Sequence, residues 1–301
     1  MRIHANRSAI TARKLSSAGL LRAHEFEDAG ASIQPPPAAF TIYELLVVVA
    51  MCAVLTLLLA SALARARSDS KSLTCLSNLR RLTMAWQMYA QDNLGKLPQN
   101  GSRTTTPLVP TDARLRPGAA WYQWCPGSMN VFSVYETNFV MVGSVYPYIQ
   151  SMSTYHCPAD NFVWTIGTSK VPHVRSYSMN CYLAPIKGGE WPSLYTKNYY
   201  KPTDISAPAP SKLYVFIGES EYSINDGFFV SDPTQGNYWQ DMPASHHAGA
   251  CGLSYADGHA QLRRWTDVNV LRYTGYAHSL AGDPNSTDSW WLSERATAYN
   301  P

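Results

Sequence analysis

The stretch 40-FTIYELLVVVAMCAVLTLLLASALARAR-67 decides the fold. Leu45 to Ala64 carries no charge over twenty residues. At 1.5 Å rise per residue this is about 30 Å of helix, the thickness of a bilayer core. A helix buried in a soluble core rarely stays apolar on every face for so long, so the run predicts a membrane span. Ala60-Ser61-Ala62 could pass for the cleavage site of a secretory signal peptide, and the flanking residues decide between the two readings. No helix breaker follows the run: Ser61 to Asn93 contains neither proline nor glycine. Leu76, Leu79, Thr83, Trp86 and Ala90 recur there at three- and four-residue spacing, while Arg80, Arg81, Gln87 and Gln91 fall mostly off that stripe. One continuous helix is therefore expected from about Phe40 to about Asp92, on the order of 80 Å long, stopped by Asn93-Leu94-Gly95 and Pro98.

Outward from this helix the chain changes character. Residues 1–39 form a polar, weakly basic leader closed by Pro35-Pro36-Pro37, which suits the cytoplasmic side of a membrane. Residues 40–64 are the membrane half of the helix, 65–93 its amphipathic half, and 94–301 a globular head. In the head, prolines and glycines punctuate short aromatic and β-branched runs such as 211-SKLYVFIG-218. Within 251-CGLSYADGHAQLRRW-265, Ala256-Asp257-Gly258-His259 reads as a hairpin turn between two strands. The expected fold class is α+β: a long N-terminal helix whose second half packs on an antiparallel sheet with large loops. The 301 residues are 46% hydrophobic and 15% charged, with a net charge of +3, too small to point to nucleic acid. No internal repeat is visible, and there is no nucleophile elbow, phosphate loop or HExxH motif, so the expectation is a protein without enzymatic activity.

The segment 40–67 resembles the N-terminal cleavage and methylation segment of type IV pilins and type II secretion pseudopilins. In that family a prepilin peptidase cuts before a phenylalanine, here Phe40, which is then N-methylated. In that family a glutamate four residues on, here matched by Glu44, pairs with the N-terminal amine of a neighbouring subunit, so the resemblance implies an assembly role for Glu44. A carboxylate just inside an apolar helix is costly unless paired, which marks it as functional. Two departures are visible. Ala39 stands before the cut where glycine is usual, and Ser61 stands where many pilins have proline, so this helix should be straighter.

The segments 75-CLSNLRRLTMAWQMYAQDNLGKLP-98, 156-HCPAD-160, 176-SYSMN-180 and 247-HAGACGLSYADGH-259 resemble a group of pilin-like proteins from planctomycetes and verrucomicrobia. His247, nine residues, then Asp257-Gly258 is that group's C-terminal signature. The two resemblances imply a structural subunit of a pilus-like or type II secretion pseudopilus fibre, with a cytoplasmic N-terminus and a periplasmic or fibre-borne head. Its partners would be the membrane, a prepilin peptidase and other pilin-like subunits. The alternative is a membrane-anchored binding module, for which Trp121, Tyr122, Trp124, Trp290 and Trp291 would be contact residues if exposed.

Cys52 lies in the membrane run, and five cysteines belong to a head expected in an oxidising space, so one or two disulfides are expected there. Cys75 with Cys157 is the favoured pair, because both fall in the segments that carry the second resemblance. His246, His247, Asp257 and His259 admit a metal reading. The preferred reading is structural, with Asp257-Gly258 making the turn and His247 fixing the preceding loop by a backbone hydrogen bond. A calcium site is implied only by resemblance to the major pseudopilins. Asp226, Asp232, Asp241 and Asp257 are its available oxygen ligands, Glu219 and Glu221 could serve either metal, and none is assigned.

Overall fold

A computed structural model describes residues 40–101, 111–119, 121–127, 137–166, 168–186, 195–275 and 280–300. The leader 1–39, with Ala39 and the proline run, lies outside the described residues. The described residues divide into two units, with the boundary between Leu55 and Thr56.

Helix α1 spans Ile42–Asp92. Its start is a reciprocal cap. The Thr41 amide and hydroxyl both donate to Glu44 Oε2 at 2.8 Å, and the Glu44 amide donates back to Thr41 Oγ1 at 3.2 Å. Every residue from Leu45 to Ala64 is exposed, and the most apolar part of the helix reaches a mean hydropathy of 2.8 with none of it buried. The end is as the sequence predicts. Leu94 and Gly95 adopt φ of 58° and 74°, and the Gly95 amide returns to the Ala90 carbonyl at 2.8 Å.

The head is mixed α and β, as expected. Its helices are α2 (Thr137–Met141), α3 (Tyr146–Ile149), α4 (Val268–Leu271) and α5 (Asp288–Ser293). The strands are β1 (Val163–Ile166), β2 (Ser169–Pro172), β3 (Tyr177–Asn180), β4 (Tyr214–Gly218), β5 (Phe228–Phe229), β6 (Tyr238–Trp239), β7 (Ala250–Tyr255), β8 (Ala260–Arg264) and β9 (Leu280–Ala281). Five of them form the main sheet in the order β5-β3-β4-β7-β8. The sheet is not purely antiparallel, which corrects the sequence reading: β5 pairs parallel with β3. The cause is the long connection after Gly218, which carries the chain to the free edge of β3 instead of turning straight back.

The second half of α1 lies along β7, and simple arithmetic explains the fit. The hypothetical Cβ of Gly252 would run into Leu79, Thr83 Oγ1 donates to Ser254 Oγ at 2.7 Å, and Gln87 Nε2 donates to the Ala256 carbonyl at 3.0 Å. Four residues of helix advance about 6 Å, and two residues of strand advance about 6.6 Å. Helix and strand therefore stay in step over successive contacts. Ser254 Oγ also accepts from the Phe216 amide at 3.3 Å, where the β4–β7 register shifts between Tyr214 and Phe216. Residues of β3, β4 and β7 are buried throughout, and Trp86, Trp124, Tyr155, Tyr177, Tyr214, Tyr255 and Phe216 form an aromatic core with them.

The β7–β8 hairpin turns where the sequence predicts. Gly258 has φ of 96°, and Asp257 Oδ1 accepts from the His259 amide at 3.1 Å. Asp257→Asn keeps that acceptor and should change the melting temperature of the detergent-solubilised protein little. Gly258→Val forces a β-branched residue to a positive φ, and a loss of about 1–3 kcal/mol is expected. Equal melting temperatures for the two variants would contradict this account of the turn.

Candidate functional site

Among the described residues, one group of three or more His, Cys, Asp or Glu side chains brings its ligand atoms within 4.8 Å of one another: Cys75, Cys157 and His247, all buried. Each comes from a different part of the head, and each is held by backbone geometry. Cys75 sits on the sheet-facing side of α1. Cys157 lies in the turn after a short 3₁₀ segment, Met152–Tyr155. That turn is tied down twice. Asn78 of α1 donates to the Ser153 and His156 carbonyls at 3.2 and 3.1 Å. Ser176 Oγ accepts from the Cys157 amide at 3.0 Å and donates to Asp160 Oδ2 at 2.7 Å. His247 precedes β7 in a tight loop with Ala248 and Gly249 at φ of 52° and 85°, closed by the His247 amide on the Ala250 carbonyl at 3.0 Å.

The His247 imidazole joins these parts. Its Nδ1 is 3.1 Å from Ser72 Oγ, one turn before Cys75 on α1, and its Nε2 is 3.2 Å from Cys157 Sγ. Tyr177 donates its hydroxyl to Cys75 Sγ at 3.3 Å. Beside the cluster, His246 Nε2 lies 2.8 Å from Glu221 Oε2. The contact with Cys75 holds the Cys157 thiol below the ordinary thiol range against the opposing effect of burial, with His246 and His247 adding to it. The same contact, together with burial, pushes the Cys75 thiol up. Burial disfavours a charged His246 ring, but hydrogen bonds to Cys157 and Glu221 outweigh it and push the ring up to about 10. Glu221 is lowered: burial opposes its charge, and the His246 contact overcomes it. The site is a proton-poised thiol pair capped by imidazole and flanked by an ion pair.

Several expectations are corrected here. Cys75 and Cys157 lie side by side, and in this structure they are free thiols, as are Cys52, Cys125, Cys181 and Cys251. The side chain of His247 does not bond backbone: it bridges a serine and a cysteine. The four-residue cluster read from sequence comes apart. Asp257 Oδ1 pairs with His259 Nδ1 at 2.6 Å in the hairpin turn, and His246 turns to Glu221. Three of the acids considered for calcium accept from backbone amides. Asp226, Asp232 and Asp241 accept from the amides of Phe228, Thr234 and Val230 at 2.7–2.9 Å. Glu219 is buried and accepts from Ser178 and Ser223. Of the aromatics considered for ligand contact, Trp124 is in the core and Trp291 lies between the guanidinium groups of Arg263 and Arg295 at 4.2 and 4.1 Å. Trp121 carries Arg114 at 4.5 Å, and Trp290 is exposed.

The chain was compared with known protein families, with characterised proteins and with solved structures. None matches. Cys75, Cys157 and His247 each stand out in the sequence, but for separate reasons. The signal that could have joined them is that each opens or lies within one of the segments carrying the second resemblance.

Proposed function

We propose that this chain is a structural subunit of a pilus-like or type II secretion pseudopilus-like fibre. It is held in the inner membrane by the first half of α1, with the N-terminus cytoplasmic and the head periplasmic or in the fibre. The observation that carries this reading is the division of labour along α1. Leu45 to Ala64 is wholly exposed and uncharged, while Cys75, Leu79, Leu82, Trp86 and Ala90 are buried in the head. An apolar surface of that extent needs lipid or other helices to cover it. Prepilin peptidase would cut between Ala39 and Phe40. Glu44, which caps its own helix in the single chain, would exchange the Thr41 amide for the N-terminal amine of a neighbour on assembly.

The test uses Glu44→Ala in the source cells. Wild-type protein extracted from membranes should begin at N-methylated Phe40 by intact mass. The variant should insert in the membrane as well as wild type, because a costly carboxylate is gone, yet be depleted about tenfold or more from sheared fibres, corresponding to the loss of about 1.4 kcal/mol or more of pairing energy. A mature N-terminus near Ser61 or Ala64, or undiminished incorporation of the variant, would overturn the reading.

A further inference from the structure

We propose that Cys75, Cys157 and His247 bind a zinc ion that pins the turn 156–160 and the loop before β7 to helix α1. The argument begins with the proton count. Ser72 Oγ lies 3.1 Å from both the Ser68 carbonyl and His247 Nδ1, and a hydroxyl that donates to the carbonyl can accept from the ring. With the ring proton on Nδ1, the imidazole presents the Nε2 lone pair to Cys157 Sγ at 3.2 Å. Two sulfurs and a nitrogen lone pair then face one another inside 4.8 Å, in a buried space, and a proton or a cation must lie between them.

A metal answers that need with the donor types present. Zinc bonds at about 2.3 Å to sulfur and 2.0–2.1 Å to nitrogen place tetrahedral ligands about 3.6–3.8 Å apart, within the observed spacing. Two thiolates with a neutral imidazole balance the charge of Zn²⁺, so the buried centre is neutral. Cu⁺ in the same set would leave a buried negative charge, which favours zinc of the two thiophilic ions. The surroundings are those of a supported metal site. With Nε2 on the metal, the histidine has its other ring nitrogen 3.1 Å from Ser72 Oγ, and Tyr177 donates to Cys75 Sγ at 3.3 Å. Asn78 and Ser176 hold the turn that carries Cys157. Three protein ligands leave the fourth position to a water.

The experiment uses the full chain in detergent, purified under reductant, stripped with a chelator and dialysed. Zinc should rebind at one equivalent per chain by elemental analysis and raise the melting temperature by roughly 5–10 °C. Cobalt in its place should give a sulfur-to-metal absorption band and tetrahedral visible bands. Cys157→Ser and His247→Ala should each lose the band and the thermal shift, while Cys125→Ser and Cys181→Ser keep both. Because Cys157→Ser could fail to fold, wild type is also alkylated mildly with and without zinc and the modified cysteines are mapped by mass: bound metal should protect Cys75 and Cys157. Three results would overturn the proposal. They are no retained metal with an unchanged melting curve, preferential one-equivalent binding of Cu⁺ with zinc excluded, and a mass two units lower in protein isolated without reductant, mapped to a Cys75–Cys157 bond.

Discussion

Gly252→Val should leave the head unable to reach its native packing. Gly252 sits in the middle of β7, and the position its Cβ would occupy overlaps Leu79 Cδ1 and lies 3.0 Å from Cys75 Sγ. Leu79 is fully buried, with nowhere to retreat. A single added methyl, as in Gly252→Ala, forces a small separation of helix and strand and should cost about 1–3 kcal/mol. The three carbons of valine at the same place should cost more than about 4 kcal/mol, a large share of the stability of a typical domain. The separation would also disturb the Thr83–Ser254 and Gln87–Ala256 contacts, which depend on the same register. The measurement is near-ultraviolet circular dichroism and limited proteolysis of the detergent-solubilised protein. Gly252→Val should lose the tertiary signal and be cut within the head under conditions where wild type resists. A variant that melts within a few degrees of wild type would show that α1 does not pack this closely on β7.

The Asp241 carboxyl should make the stability of the head fall as pH rises from about 4 to 8, against the opposite slope that the buried His173, lowered to about 4, gives below pH 6.5. Burial pushes the Asp241 carboxyl up to about 8, its hydrogen bond from the Val230 amide opposes this, and the neighbouring Asp226 adds to it. Glu219 is raised in the same direction by burial first and by Asp241 second, despite its hydrogen bond from Ser178 and the nearby Arg175. In the unfolded chain both acids ionise near pH 4. Between that pH and the folded value the native state holds a proton that the unfolded state has lost. Folding is then favoured at the acid end and weakened by up to about 1.4 kcal/mol per pH unit for each such group. The contribution is complete below the unfolded pKa and gone once pH passes the folded one. Asp241→Asn keeps an oxygen for the Val230 amide and removes the titration. Its melting temperature should exceed that of wild type at pH 8 and match it near pH 4.5, with a shallower residual slope left by Glu219. An unchanged slope in Asp241→Asn would place the pH dependence elsewhere.

The long helix, its membrane-compatible half, its buried stripe and its stop at Leu94-Gly95 were all legible in the sequence, because each depends on residues close together in the chain. A charge-free run needs no partner to be recognised. A three-and-four spacing reports one helix face whatever covers it. A glycine after a helix, or in Asp257-Gly258, answers a backbone angle set by its immediate neighbours. The same locality explains what the sequence left open. His246, His247, Asp257 and His259 are near in sequence, yet the loop before β7 and the β7–β8 turn stand at opposite ends of a six-residue strand, so the four side chains are drawn to different partners. The acids at 226, 232 and 241 resemble ligands by type, but each is spent on a nearby amide that no strand pairs, a need visible only once the chain is folded. Tertiary structure alone decided that Cys75, Cys157 and His247 meet. Their separations of 82 and 90 residues are closed by α1 lying in step along β7 and by Asn78 holding the 156–160 turn against the helix. No local pattern encodes that meeting, because it follows from the packing of three elements and not from the preference of any one of them.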